Sequence, residues 1–519
     1  MRAYCSIVGR ESHIAARAVV RLSARRSIGS SAGGSANFGS LRDIPGPTSW
    51  PLVGCLPNFV AKCNGFSLPK GPQMNKAYHE YYNEFGPIYR MDLVGETNVH
   101  VCKPDEFMKM YRNEGQFPPG GAEALYITKR WAEENKKDQY LALNGRGQEW
   151  QDIRFVLQED LISPKAARSY LPFLNEACQL GSRSFAAHTS RPDDFGTYMA
   201  FDMFTSMLFG IQMQTAAGSC SGKDFEFVQN TQRVFELLGT TVFKGHLKLD
   251  LFRSHPVNRE FMERHDRSVA YANRLMEKAI ESASNLDPLP YIARVLARDK
   301  MAPEKVQQLV PSLLMAGIDT TKSVLNWNLL YLAQNPEKQD RLRAELHDVL
   351  GDAPLTEEVA AKMKSKLPYL KAVVRETHRI APASALMTMR AAPCDLELNG
   401  YLVPEGTKVG FNIYSMQNDP RYVEDPSEFK PERWLSEAVK ARVGTESEVI
   451  DNPLLGTPFS FGARMCLGGR VAELEVFAFL SRLVRDWRFT TKEESPVWKT
   501  VQPLMSKPHP FPAFHVEPC

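Results

Sequence analysis

Residues 459–470 read FSFGARMCLGGR, and the lone cysteine set among glycines and an arginine decides how the rest of the chain is read. A buried structural cysteine behaves as a small hydrophobe among aliphatic neighbours, whereas Cys466 follows Phe459, Gly462 and Arg464 and is followed by Gly468. Glycines at 462 and 468 remove side chains that would clash with a flat macrocycle pressed against this backbone. A sulfur facing a metal in such a ring must stay deprotonated. Amide donors and the positive dipole end of the helical run that follows, which carries Ala472 and Glu475, are placed to hold it so. Arg464 adds a cation suited to a carboxylate on the ring. Five specified positions at this spacing arise by chance in 519 residues with a probability on the order of 10⁻⁴.

Working outward, AGIDTT at 316–321 lies inside the apolar helical run VQQLVPSLLMAGIDTTKSVLNWNLLYLAQ. Asp319 and Thr320 are an odd pair to bury unless they serve a polar task, although Thr320 is equally able to bond back to a helical carbonyl. Glu376 and Arg379, within KAVVRETHRI, stand one helical turn apart, a spacing that alone signals surface ion pairing. FKPERW at 429–434 contributes Arg433, Trp150 and Arg154 share a face of QEWQDIRFVLQEDL, and Arg390 precedes a hairpin.

These motifs, in this order from Pro45 to about residue 514, resemble the cytochrome P-450 family of haem-thiolate monooxygenases. The resemblance implies a mainly α fold with minor β: a large helical domain, a small β-rich region on its N-terminal side, and haem b between distal and proximal helices. It makes Cys466 the axial metal ligand within a loop shaped by Phe459, Gly462 and Gly468. Ala316 and Gly317 would cross the opposite haem face, with Gly317 letting the helix open to leave room for dioxygen. Asp319 and Thr320 would deliver protons through water. Trp150, Arg154, Arg390 and Arg464 would neutralise two propionates, and Glu376, Arg379 and Arg433 would form a buried network. The implied activity inserts one atom of dioxygen into a C–H bond of a lipophile, sterol- or isoprenoid-like or a fatty acid. Its pocket walls would be Leu313, Ala316, Ala385, Leu386, Met387, Thr388, Leu504 and Met505. An electron-independent isomerase or dehydratase and a non-enzymatic haem-thiolate sensor are the alternatives, and the acid-threonine pair argues against both.

Residues 1–40 hold six arginines (Arg2, Arg10, Arg17, Arg21, Arg25, Arg26) against the single acid Glu11. On a helix Arg17, Arg21 and Arg25 form a stripe opposite Ala15, Val19 and Leu22, which reads as a mitochondrial presequence, a disordered basic tail being the alternative. The excess positive charge therefore sits there, and the near-neutral body of residues 41–519, read as one catalytic domain, is unsuited to nucleic acid. No apolar run of eighteen residues suggests a transmembrane helix, so membrane contact would be peripheral. Nine cysteines without a C-x-x-C pair argue against a disulfide framework or zinc knuckle. YRMDLV with NVHVC, and DLELNGYLVPEGTKV around Asn399-Gly400, predict two hairpins.

No flavin or iron-sulfur signature is present, so two electrons must come from outside. The sequence resembles the mitochondrial branch of the family, which implies an adrenodoxin-like ferredoxin and its NADPH-fed reductase. Docking would use Lys371, Arg375 and Arg470, although Gly469 stands where that branch usually has a first arginine. A microsomal-type reductase is the alternative donor. A monomer peripheral to the matrix face of the inner membrane is expected.

Overall fold

The computed structural model describes residues 38–63, 73–93, 95–119, 125–136, 145–243, 245–283, 286–384, 388–456, 458–492, 499–501 and 505–519. Residues 1–37 of the expected presequence, and pocket candidates Ala385, Leu386, Met387 and Leu504, lie outside these residues.

The proline-rich lead-in is pinned early: the Arg90 amide donates to Pro45 O at 2.8 Å. A Cβ on Gly46 would stand 2.1 Å from the Arg90 carbonyl oxygen, so only glycine fits that approach. Helix α1 (Met74–Phe85) then leads into β1 (Ile88–Leu93) and β2 (Glu96–Val101), an antiparallel hairpin with Ile88 opposite Val101. Helix α2 (Pro104–Asn113) opens on proline with Asp105 and Glu106 in its first turn, where acids complement the dipole.

The body is helical: α3 (Gly147–Gln158), α4 (Leu171–Ser182), α5 (Pro192–Phe209), α6 (Gly222–Phe243), α7 (Pro256–Ala283), α8 (Pro303–Gln334), α9 (Pro336–Leu350) and α10 (Pro368–Ile380). Helix α5 is buried around its whole circumference, as an apolar helix without a polar face must be. Helix α8, about 48 Å long at 1.5 Å per residue, packs on α5, α7 and α10. Phe195, Phe201, Leu309, Leu325, Leu329, Val373 and Phe479 belong to the one large core between them.

After α10 come β3 (Thr388–Ala391), β4 (Leu396–Leu398), β5 (Tyr401–Val403) and β6 (Lys408–Phe411). Strands β4 and β5 form the second expected hairpin, its turn made by Asn399 at φ 50° and Gly400 at φ 87°. The four-stranded sheet has the order β1-β2-β6-β3, with β2 and β6 parallel and Asn98 opposite Lys408. Its own core joins Tyr81, Tyr89, Val99 and Phe107 to Val409, Phe411 and Leu454. The fold is mainly α with minor β, and the β-rich region takes half of its four-stranded sheet from residues 388–411. Helix α11 (Gly469–Asp486) returns to the large core against α4, α8 and α9. Among the described residues no helix is long and apolar enough to cross a membrane.

Candidate active site

The cysteine loop is closed by its own backbone. The Cys466 amide donates to Phe459 O at 2.9 Å and the Met465 amide to Gly462 O at 3.1 Å. Ser460 (φ 63°) and Gly462 (φ 73°) both take the left-handed conformation, and a Cβ on Gly462 would stand 2.8 Å from Glu114 Oε2. Burial pushes the Cys466 thiol up, while the Gly468 and Gly469 amides at the start of α11 donate to the sulfur and, with Arg154, pull it back. Protein packs closely around this sulfur, yet the residue is exposed, so the thiol sits in a recess and not on a convex surface. A side chain on Gly468 would meet no protein atom, whereas one on Gly469 would strike the Phe459 ring at 2.9 Å.

Helix α3 supplies the wall beside the loop. The Arg464 guanidinium lies 3.6 Å from the centroid of the Trp150 ring and donates to Pro118 O and Gly145 O at 2.9 and 2.7 Å. Its buried Nη1 has no partner. Arg154 donates to Met465 O at 2.7 Å and lies 5.7 Å from the same indole. Arg390, in β3, donates to Glu114 Oε1 at 2.9 Å and to Ser460 Oγ at 3.2 Å. Burial, then the like charges of Arg390, Arg154 and Arg146, pulls Arg464 down to about 10, with Glu114 acting the other way. Four cations against one carboxylate make a place for a further anion. The fold thus brings together Trp150, Arg154, Arg390 and Arg464, and adds Glu114, which nothing in its local sequence distinguishes.

Helix α8 presents Ala316 exposed in mid-helix, with Thr320 partly exposed and Leu313 buried. The Thr320 hydroxyl donates to Ala316 O at 2.9 Å, so in this state it bonds back to its own helix. Asp319 turns elsewhere: it lies 3.9 Å from Lys322 Nζ and lines a cavity of about 10 Å³ with Thr197, Thr231 and Gln232. Burial raises its carboxyl, with Lys322 and Lys507 opposing. Helix α8 runs unbroken through Gly317, where a Cβ would stand 2.3 Å from the Phe204 ring of α5. The glycine makes room for packing. Met505 pairs with Ser384 in an isolated bridge, and the Ser506 amide donates to Ala383 O at 2.7 Å. Thr388 opens β3, with its side chain outside the described residues.

Glu376 and Arg379 are fully buried. Glu376 accepts from Arg379 Nε and Nη2 and from Arg433 Nε, each at 2.9 Å, from Trp434 Nε1 at 2.8 Å and from the Lys430 amide at 3.0 Å. Arg379 in turn donates to Gln417 O and Glu428 O. Of the three expected docking charges, Lys371 is exposed and Arg470 is half-exposed beside Glu473, but Arg375 is folded against Trp434.

The donor set suits a flat, dianionic ring bound through sulfur: a thiol in a recess under two amides, an orphaned buried guanidinium nitrogen, and surplus positive charge beside it. Fold and site together define a haem-thiolate protein. The chain belongs to the cytochrome P-450 family, since the family model described as "Cytochrome P450" matches residues 44–513. It is 29% identical, over 88% of this chain and 86% of the relative, to "Probable cytochrome P450 12b2, mitochondrial" of Drosophila melanogaster. It is similar to the mitochondrial sterol 26-hydroxylase of Rattus norvegicus at 26% identity over 86% of this chain and 83% of the relative. With the mitochondrial cholesterol side-chain cleavage enzyme of Capra hircus it shares 27% identity over 80% of this chain and 79% of the relative. The protein is a P-450 monooxygenase, and the cofactor of its family is a haem held by a cysteine thiolate.

Proposed function

We propose that this enzyme hydroxylates a sterol-like lipophile in the mitochondrion, with electrons passed from NADPH through a reductase and an adrenodoxin-like ferredoxin. The observation that carries the reading is the Cys466 sulfur under the Gly468 and Gly469 amides, in a recess beside the arginine cluster. Haem b bound through Cys466 supplies dioxygen activation and C–H oxidation. The chain's own residues position and protect. The two amides, Arg154 and the N-terminal end of α11 oppose the burial that raises the Cys466 thiol, and would favour the anionic sulfur needed to hold the iron. Trp150, Arg154, Arg464 and Arg390, the last steadied by Glu114, would hold the two propionates. Phe459 packs on Gly469 and holds the loop to its helix. Thr320 releases Ala316 O to pass a proton inward, and Asp319, turning from Lys322, supplies that proton through water. Leu313, Ala316 and Met505 keep the reacting end of the substrate dry.

Sterol chemistry is supported by the names of two relatives, a sterol 26-hydroxylase and a cholesterol side-chain cleavage enzyme. The mitochondrial designation of these relatives also supports location and donor. The arginine-rich residues 1–40 then act as a presequence. Peripheral membrane contact is favoured by exposed Leu52 (93%) and Leu251 (86%), beside exposed Trp50 and Leu249.

The test is reconstitution of the purified chain with haem, ferredoxin, reductase and NADPH on a panel of sterols and fatty acids. Hydroxylated product bearing oxygen from labelled dioxygen, absent in Cys466→Ser, is expected. Turnover without reductant, or a Cys466→Ser protein with an unchanged carbon-monoxide spectrum, overturns the reading.

A further inference from the structure

Lys371 and Arg375 stand four residues apart on α10, the spacing of one helical face, yet their side chains have different surroundings. Lys371 is exposed. The Arg375 guanidinium lies 3.9 Å from the centroid of the Trp434 ring, 3.7 Å from Asp451 Oδ1, and donates to Ile450 O at 3.4 Å. Arg442 reaches the same two residues: it lies 5.6 Å from the Trp434 centroid and holds Asp451 by bonds of 3.0 and 2.8 Å. Trp434 is in turn tied to Glu376 through its indole N–H. A Cβ on Gly456 would stand 3.1 Å from Arg375 Nη2, so the chain there has no side chain where the guanidinium lies.

Asp451 ends the 3₁₀ turn Glu446–Asp451 and Gly456 ends the helical turn Pro453–Gly456, the stretch that delivers the backbone to Phe459 and Cys466. We propose that Arg375 is a positioning residue for the cysteine loop: its planar guanidinium, fitted against Trp434, Asp451 and Gly456, fixes residues 446–456 on α10. The Arg375 side chain keeps 30% of its exposure, and the partial burial pulls its guanidinium down to about 10, with Asp451 opposing. Lysine cannot replace it, because an ammonium has no plane to lay on an indole and no fork to share between ring and carboxylate. The acidic partner is left to Lys371 and Arg470, both of which act on the Glu473 carboxyl. That last clause rests on the ferredoxin reading; the positioning role does not.

The test uses the haem-loaded full chain with Arg375→Lys, Arg375→Gln and, as comparator, Lys371→Gln. Two signals are followed: decay of the thiolate-ligated carbon-monoxide spectrum below the melting temperature, and helix unfolding by circular dichroism. Arg375→Lys is expected to speed the decay about fivefold, the worth of one partly desolvated cation–π contact. Helix unfolding should shift less, and Lys371→Gln should leave the decay unchanged. Decay in Arg375→Lys equal to the parent overturns the inference, because charge alone would then suffice. If neither arginine variant accumulates, Asp451→Asn is read the same way, faster decay supporting the inference and unchanged decay overturning it. Ferredoxin affinity separates the two readings: Lys371→Gln is expected to weaken it and Arg375→Lys to leave it. If no variant alters it, the donor reading fails while the decay result still decides Arg375.

Discussion

Glu475 is a carboxyl group held where a charge is expensive. It is 1% exposed, accepts one bond from Thr321 Oγ1 at 2.9 Å, and its other oxygen has no partner. Burial pushes it from 4.5 up to about 8, with the Thr321 bond opposing. A carboxyl whose folded pKa lies above its unfolded value binds extra proton when folded. Its contribution to stability is therefore complete below 4.5 and is lost as the pH rises through about 8. Glu475→Gln is expected to melt higher than the parent at pH 8, with the difference shrinking towards pH 4.5; a gap that does not change with pH in thermal melts would disprove this. Such a residue is only half legible in sequence: its position in the helical run after the cysteine shows, but its buried partner does not. Glu114 is less legible still, because an acid after a short helix gains meaning only when Arg390 and Gly462 arrive from far along the chain. Cys466 and Arg464 stand out in the sequence because the chemistry proposed for them dictates local spacing.

At the scale of elements, the hairpins were legible because Asn399-Gly400 and the alternation in β1 and β2 are local signals. Helix α8 was legible from its apolar period, but its contact with α5 was not. Gly317 illustrates the limit. A glycine beside a buried acid suggests a helix that opens, and nothing local tells of the phenyl ring, more than a hundred residues earlier in the chain, that packs against it. Gly317→Ala is expected to destabilise by about 1–3 kcal/mol through overpacking. Phe204→Leu in the same chain should restore much of that loss, as a double-mutant cycle by denaturant unfolding would show. Additive losses would mean that the two residues do not meet. Arg375 belongs to the same lesson: the i, i+4 rule places two charges on one face but does not say which face another segment will cover.

For the molecule as a whole, Glu376 is the point at which distant segments are tied, since Arg379 and Arg433 converge on it while Arg379 also holds residues 417 and 428. Removing one partner of a buried ion network strands the others, at about 3–5 kcal/mol. Glu376→Ala is expected to lower the unfolding midpoint by that amount and to lose haem on purification, whereas a midpoint within error of the parent would show the network to be idle. The parallel pairing of Asn98 with Lys408 has a different consequence. At about 5–20 residues per second a ribosome needs on the order of tens of seconds to reach β6 after completing β2. Throughout that interval β2 offers an unpaired row of amides and carbonyls to any passing strand. A nascent chain interrupted before residue 411 is accordingly expected to leave that edge open to intermolecular pairing, an exposure that ends only once about four-fifths of the polypeptide has emerged.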